Sequence, residues 1–358
     1  MSQTFERTIA LPASPKEVFD WHARPGAFDR LVPPWQHLEI LERNEALVDE
    51  SRLSFLIKQG PIGIRWVARH EDVVDGERFV DVQEKGPFAS WRHEHLFEPA
   101  AEGALLRDSI RYRLPMGCLG ALVAGRRIRS DLNAMFAYRH FTTWHDLALH
   151  RKWRRHLCLG MVARPNHRLA TTAWALLATG GHHVEELKPG DKPPVWWDHL
   201  DGVIDLEPDG RSDRLERWKG SLMVTVGGPM PETRWKRHVH LRPAPLVGTR
   251  RGDYLPAGLS RSRGQGPWVS LDDAASSIVF ALQTPGFAGD VEVAADGAPA
   301  LEEAGFRFRH RLRDEATRRY AGKVHKAFES GPPPLTQTPT WDGPADAVPG
   351  TPEERDTP

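Results

Sequence analysis

The stretch Met161 to His183, MVARPNHRLATTAWALLATGGHH, constrains the fold more than any other part of the chain. An apolar run from Leu157 to Val162 leads into a tight turn, and the segment from Leu169 to Thr179 follows with helical character. Gly180-Gly181 closes that helix as a C-cap does, and His182 to Leu187 predicts the next strand. Strand, turn, helix and strand in this order open a nucleotide-binding α/β domain. Such a turn binds a pyrophosphate when glycines let backbone N–H groups approach it without a Cβ in the way. Here Arg164 and His167 put large side chains into that approach, and Pro165 removes one N–H donor.

Upstream, Thr4 to Leu11 alternates as a half-buried strand does, with Phe5 and Ile9 on one face. Ser14-Pro15-Lys16-Glu17 then offers an N-cap, a proline at the first helical position and an acid in the first turn. A short helix runs through Val18, Phe19 and Trp21 until Arg24-Pro25-Gly26 breaks it, and Val32-Pro33-Pro34-Trp35 makes a stiff extended turn. From His37 to about Leu114 the chain reads as successive strands: HLEILER, RLSFLIKQG, IGIRWVARHEDVV, RFVDVQEKG, SWRHEHLFEP and ALLRDSIRYRL. Asp75-Gly76 and Glu102-Gly103 supply hairpin turns. Arg126 to about Arg151 is helical in pattern, with Ile128, Leu132, Met135 and Phe136 on one face. A curved antiparallel sheet wrapped around one long helix leaves a cavity between them, and pockets of that kind are mostly apolar.

These residues also resemble a family. The layout Phe5…Ala13-Ser14-Pro15…Val18-Phe19…Trp21-His22…Pro25-Gly26-Ala27-Phe28…Leu31…Pro33-Pro34-Trp35 is similar to the SRPBCC (START-like) domain. More narrowly it resembles the bacterial version fused to a sugar-nucleotide-epimerase-like domain, which His93 to Pro99 and Met135 to His140 also match. The resemblance implies an α+β helix-grip domain over residues 1–152 that binds a small hydrophobic ligand. The stretch from Leu157 onward resembles the start of the extended short-chain dehydrogenase/epimerase domain, and the family's three glycines fall at Arg164, His167 and Ala170. Its Tyr with a Lys four residues later is missing, since none of Tyr112, Tyr138, Tyr254 and Tyr320 has that partner. The likeness returns at Val239 to Pro243, at Trp268 to Ala275 (where Asp272 is placed to act as an N-cap) and at Leu301 to Phe308. Between Gly210 and Arg234 the chain looks too short for the family's middle strands. The second half is therefore expected to be a shortened, degenerate α/β Rossmann-like domain, about 156–315, that binds no cofactor and serves as a structural or partner-docking remnant. The rival expectation is an NADP-dependent oxidoreductase or epimerase.

Candidate pocket residues are Trp21, Trp35, Trp66, His93, His95, Phe136 and His140. His93 and His95 lie two apart on a strand and share a face, which permits a metal pair. The sequence places no third ligand, so they are expected to be a hydrogen-bonding pair and no metal is expected. His140, His145 and His150 are spaced by five, which spirals around a helix and suggests surface or pocket-rim positions. No Ser-His-Asp or paired-carboxylate pattern is legible, and no catalytic residue is expected. Asp198, His199, Asp201 and Asp205 read as loop groups capping helices and facing water, and Arg234 to Arg242 as one strand with a charged outer face.

Lys+Arg and Asp+Glu balance at 48 each, so no bulk charge favours nucleic acid or an anionic membrane. Two cysteines, Cys118 and Cys158, fit a reducing compartment. No apolar run approaches the roughly 20 residues of a membrane helix, and Met1 to Ala10 has no signal-peptide core. A cytoplasmic protein without membrane insertion is expected, its partners a small hydrophobic ligand and a docked protein. Ala316 to Ala327 reads as an exposed helix, and the proline-rich tail at 330–358 as disordered.

Overall fold

The computed structural model describes residues 2–44, 46–59, 62–115, 117–151, 155–189, 191–192, 194–208, 218, 220–230, 235–249, 253–255, 258–262 and 266–320. The tail at 330–358 and the end of the helix expected at 316–327 lie outside them.

The first strand, β1 (Gln3–Leu11), leads into α1 (Pro15–Ala23). A capping box starts that helix: Glu17 N–H donates to Ser14 Oγ at 3.3 Å, and Ser14 N–H donates to the Glu17 carboxylate at 2.8 Å. A second short helix, α2 (Ala27–Leu31), follows Gly26, whose φ of 89° lies in the left-handed region. Then come β2 (His37–Arg43), β3 (Arg52–Gln59), β4 (Ile62–Val74), β5 (Arg78–Lys85), β6 (Ser90–Ala100) and β7 (Gly103–Arg113), and the long helix α3 (Gly117–His150). The strands form one antiparallel sheet in the order β1-β7-β6-β5-β4-β3-β2. Alternate residues of β7 are buried, as expected for a sheet with one covered face. α3 covers it in two places. Leu132 and Phe136 pack on Phe5, Ile110 and Tyr112, while Trp144 and Leu147 pack near Val18, Phe19 and Phe97. Burying a side chain such as Phe136 stabilises by about 1.5–3 kcal/mol.

The second half runs β8 (Cys158–Val162), α4 (Arg168–Thr179), β9 (His183–Leu187), a 3-10 turn (Val195–His199), β10 (Gly202–Asp205), β11 (Leu222–Val226) and β12 (Arg237–Pro243). It continues through β13 (Leu246–Val247), β14 (Val269–Ser270), α5 (Leu271–Gln283), β15 (Gly289–Val293), α6 (Pro299–Glu303) and α7 (Arg313–Tyr320). Six strands make a parallel sheet in the order β15-β12-β11-β10-β8-β9. β10 and β11 are buried along their whole length, because helices cover both faces of a parallel sheet. The chain order reverses between β8 and β10, which is the switch point where ligands bind in open α/β sheets.

Three sequence expectations are corrected here. The segment between Gly210 and Arg234 does hold a central strand, β11, so the middle of the domain is not lost. The N-cap of α5 is Ser270, whose Oγ accepts from Asp273 N–H at 3.0 Å; Asp272 sits in the first turn and faces the other half instead. In β12 only Arg242 is exposed, while His238 and His240 are buried around the Thr225 hydroxyl, each 2.8 Å from it. A strand in the middle of a parallel sheet has no charged outer face.

The two halves share a buried ionic contact. Arg30 on α2 grips Asp146 on α3 through two bonds of 2.8 and 2.9 Å, and Asp272 on α5 at 2.7 Å. Arg309 reaches Asp146 at 2.7 Å, and Tyr320 donates its hydroxyl hydrogen to Asp272 at 2.6 Å. Gly26 meets α4 so closely that a Cβ there would stand 2.7 Å from the Ala175 carbonyl oxygen. Among the described residues no helix is long and apolar enough to cross a membrane.

Candidate functional site

Strand register assembles a polar band on the inner face of the first sheet. His70 on β4 lies opposite Asp81 on β5, Asp81 opposite His93 on β6, and His95 opposite Asp108 on β7. Side chains in register on neighbouring strands point to the same face, so this band looks into the space under α3. Asp108 sits at its centre. It accepts from His93 Nε2 at 3.0 Å and from His140 Nε2, on α3, at 2.7 Å. His95 Nδ1 approaches the same carboxylate to 2.9 Å without the alignment of a hydrogen bond, and is a buried nitrogen lacking a directed partner. Asp81 takes His95 Nε2 at 3.3 Å and His70 Nε2 at 3.1 Å, and Ser51 Oγ lies 2.8 Å from His70 Nδ1.

The band is electrostatically tuned. Burial would raise Asp108, but hydrogen bonds from His140 and His93 and the closely placed His95 outweigh it and hold the carboxyl well below its ordinary range. Asp81 is held low in the same way by His70 and His95. Burial would lower His95, yet Asp108 and Asp81 together push it up to about 9. Burial and the neighbouring His95 push His93 down to about 4, so it is neutral near pH 7.

Beside the band stands an aromatic wall. Trp66 stacks on Phe55 at 6.1 Å and meets Trp91 edge-on at 5.4 Å, and Phe88 lies 4.8 Å from Trp91. Trp66, Phe88 and Trp91 are only half-buried. Phe136 links wall and band, with its ring 5.4 Å from His93.

Of the sequence candidates, the structure brings His93, His95, His140 and Phe136 together and sets Trp66 at the wall. Trp21 is not at the site: it is 1% exposed and packs in the core beneath α1 with Val18 and Phe19. Trp35 lies against Tyr138 on the outer side of α3 near the second half. His140 is buried rather than on the surface or a rim, because Asp108 draws it inward. Asp81, Asp108, His70 and Ser51 were not singled out, although Asp108 falls at an inward position of an otherwise apolar alternation. Two carboxylates joined through histidines and a Ser51–His70–Asp81 line therefore exist despite the lack of a sequence signature. That serine is no nucleophile here, since it is 3% exposed and its hydroxyl donates to the Val48 carbonyl at 2.6 Å. In the second half, Asp205 is not a loop group facing water but a buried residue of β10, and Asp201 and Asp205 accept from Cys158 N–H and Glu207 N–H, each at 2.9 Å, rather than from a helix end.

The switch-point turn is filled by the chain itself. His167 caps α4 by accepting Ala170 N–H at 3.1 Å, one of the donors a phosphate would use. Glu207, just beyond β10, accepts Arg164 N–H at 3.4 Å and the Tyr254 hydroxyl hydrogen at 3.0 Å, and the Arg164 guanidinium stacks 5.4 Å from the Tyr254 ring. Asn166 takes a φ of 61° where a glycine would be unstrained. A buried carboxylate therefore stands beside this turn, 3.6 Å from the Arg164 guanidinium. A separate cavity of about 270 Å³ lies between the halves, lined by Phe28, Arg30, Tyr138, Arg168, Thr171, Asp272 and Tyr320 among others, and by none of the nominated pocket residues.

A helix-grip domain joined to a parallel-sheet domain is thus the class the fold defines. Residues 11–137 match the family model described as polyketide cyclase / dehydrase and lipid transport, an SRPBCC-type family. The chain is similar over most of its length to a nucleoside-diphosphate sugar epimerase from Corynebacterium glutamicum, with 20% identity over 89% of this chain and 90% of that one and a TM-score of 0.66. Its first part is also similar to a protein from Thermus thermophilus, with 17% identity over 40% of this chain and 97% of that one and a TM-score of 0.32. Norcoclaurine synthase from Thalictrum flavum gives 12% identity over 40% and 85%, with a TM-score of 0.32. No curated protein matches the chain. The family match thus lies within the first half, and the whole chain shares the fold of the Corynebacterium protein.

Proposed function

We propose that the helix-grip half binds a small, largely apolar molecule between α3 and the sheet, and that the second half binds no dinucleotide and acts as a scaffold for it. The observation that carries this reading is the half-buried wall of Trp66, Phe88 and Trp91 facing the inner space. Aromatic side chains left partly open in a concave site are the usual lining for such ligands. The buried histidines and aspartates next to the wall would orient a polar group of the ligand. Glu207 over the switch-point turn supports the second part of the reading. Its charge and its bonds to Arg164 and Tyr254 stand where a pyrophosphate would have to go.

Native mass spectrometry of the purified full chain tests both parts. The expected result is a hydrophobic adduct carried through purification, weakened about tenfold or more in Trp66→Ala, a loss of about 1.4 kcal/mol or more. No adduct is expected on adding NADP or NADPH. A stoichiometric NADP(H) adduct would overturn the second part, and an adduct indifferent to Trp66→Ala and Trp91→Ala would overturn the first.

A further inference from the structure

The inner band has one feature that hydrogen bonding between its members does not explain. Asp108 is an acceptor, so the His93 Nε2 that meets it at 3.0 Å carries the hydrogen. His93 Nδ1 is then a lone pair, and it faces Asp81 Oδ2, another acceptor, at 3.8 Å. His95 Nε2 lies 3.3 Å from that same oxygen. Ligand atoms of Asp81, His93 and His95 all fall within 4.8 Å of one another. With a neutral His93, a lone pair and a carboxylate oxygen face each other beside a second imidazole, an arrangement that a cation between them completes.

We propose that Asp81, His93 and His95 bind a divalent transition-metal ion, with His93 ligating through Nδ1 and His95 through Nε2. Two imidazoles and one carboxylate, with positions left over, are a donor set that suits Zn²⁺ or Fe²⁺. Ligands about 2.0–2.2 Å from a tetrahedral ion stand about 3.3–3.6 Å apart, and the two separations to Asp81 Oδ2 bracket that range closely. The ligands are already held from behind, as metal ligands usually are. Asp108 holds the far nitrogen of His93 and lies beside that of His95, and His70 holds the second oxygen of Asp81. All three ligands sit on the adjacent strands β5 and β6, so little rearrangement is needed. Asp81 is 27% exposed, which gives the ion a way in. The site does not depend on the ligand reading above; an ion there would stand at the polar end of the aromatic wall.

The test uses tag-free full-length protein, stripped with a chelator, loaded with Zn²⁺ or Co²⁺ and desalted before metal analysis. One equivalent is expected to remain, and Co²⁺ should give the visible bands of a nitrogen- and oxygen-ligated site. His93→Ala and His95→Ala should lose retention. Asp108→Asn, which alters only the support behind the ligands, should keep the stoichiometry and weaken affinity by about 10–100-fold. His183→Ala, an exposed histidine paired with Glu185, should change nothing. Should the histidine variants fail to fold, Asp81→Asn, near-isosteric and partly exposed, decides the question by the same loss of retention. Wild-type protein that keeps no metal, or metal that persists unchanged in Asp81→Asn, would overturn the proposal. The ligand reading has a separate readout, the organic adduct, so either can fail alone.

Discussion

Two buried clusters of charge in this molecule look alike by position and differ in kind. Between the halves, Arg30 and Arg309 meet Asp146 and Asp272: two permanent cations, two anions, and bonds of 2.7–2.9 Å. Inside the helix grip, Asp81 and Asp108 meet histidines, whose charge depends on pH and whose nitrogens can face a ligand with a hydrogen or a lone pair. The first cluster balances its charge without help, so it acts as a bolt. The second holds a buried imidazole nitrogen without a directed bond and adjoins a half-open aromatic wall. Burial of charge does not by itself mark a functional site.

The largest effect is expected at the bolt. Asp146→Asn leaves the buried Arg30 and Arg309 short of an anion, and should cost about 3–5 kcal/mol. Urea unfolding of the full chain measures it. If the loss is under about 1 kcal/mol, the interface is wetter than its geometry implies and the contrast with the grip cluster fails.

Next comes acid. Burial pushes His22 and His150 down to about 3, and His167, His182 and His238 down to about 4. The unfolded chain, with histidines near 6.5, binds protons more tightly than the fold does in this window. Stability from these residues is therefore complete above about pH 6.5 and is lost as pH falls toward 4 and 3. Each contributes a limiting slope of about 1.4 kcal/mol per pH unit. His150→Gln should flatten the acid limb of the stability profile by up to one such slope. An unchanged limb would mean that His150 is already hydrated in the fold.

The smallest effect is expected at the switch-point turn. The Arg164 side chain is 57% exposed, stacks on Tyr254 and stands 3.6 Å from Glu207. Arg164→Ala should shift stability by under about 1 kcal/mol, as exposed pairs do. A larger loss would make this turn a second bolt rather than a surface contact.

Much of the fold was legible in the chain. Period-two alternation and turn glycines placed β2 to β7 almost to the residue, since a strand with one buried face repeats every second residue. Ser14-Pro15 announced α1 because capping is local chemistry. The short helix α2 was missed, as five residues carry no period, and so was β11, because a strand buried on both faces has no alternation to read. The candidate site was legible in part. His93 and His95 stand two apart and showed their shared face, but Asp81 and Asp108 come from other strands, and only register brings them to the histidines.

What the sequence determined by itself was therefore what acts over a few residues: the strands, the caps, and the bulky side chains at Arg164 and His167 in the turn after β8. What only the tertiary structure decided was which polar groups end up facing one another: Asp81 with His93, Glu207 with Arg164 and Tyr254, Arg30 with Asp146 and Asp272. The reason is physical. Local rules follow from backbone geometry, whereas the partner of a buried charge is set by which distant segment is folded against it.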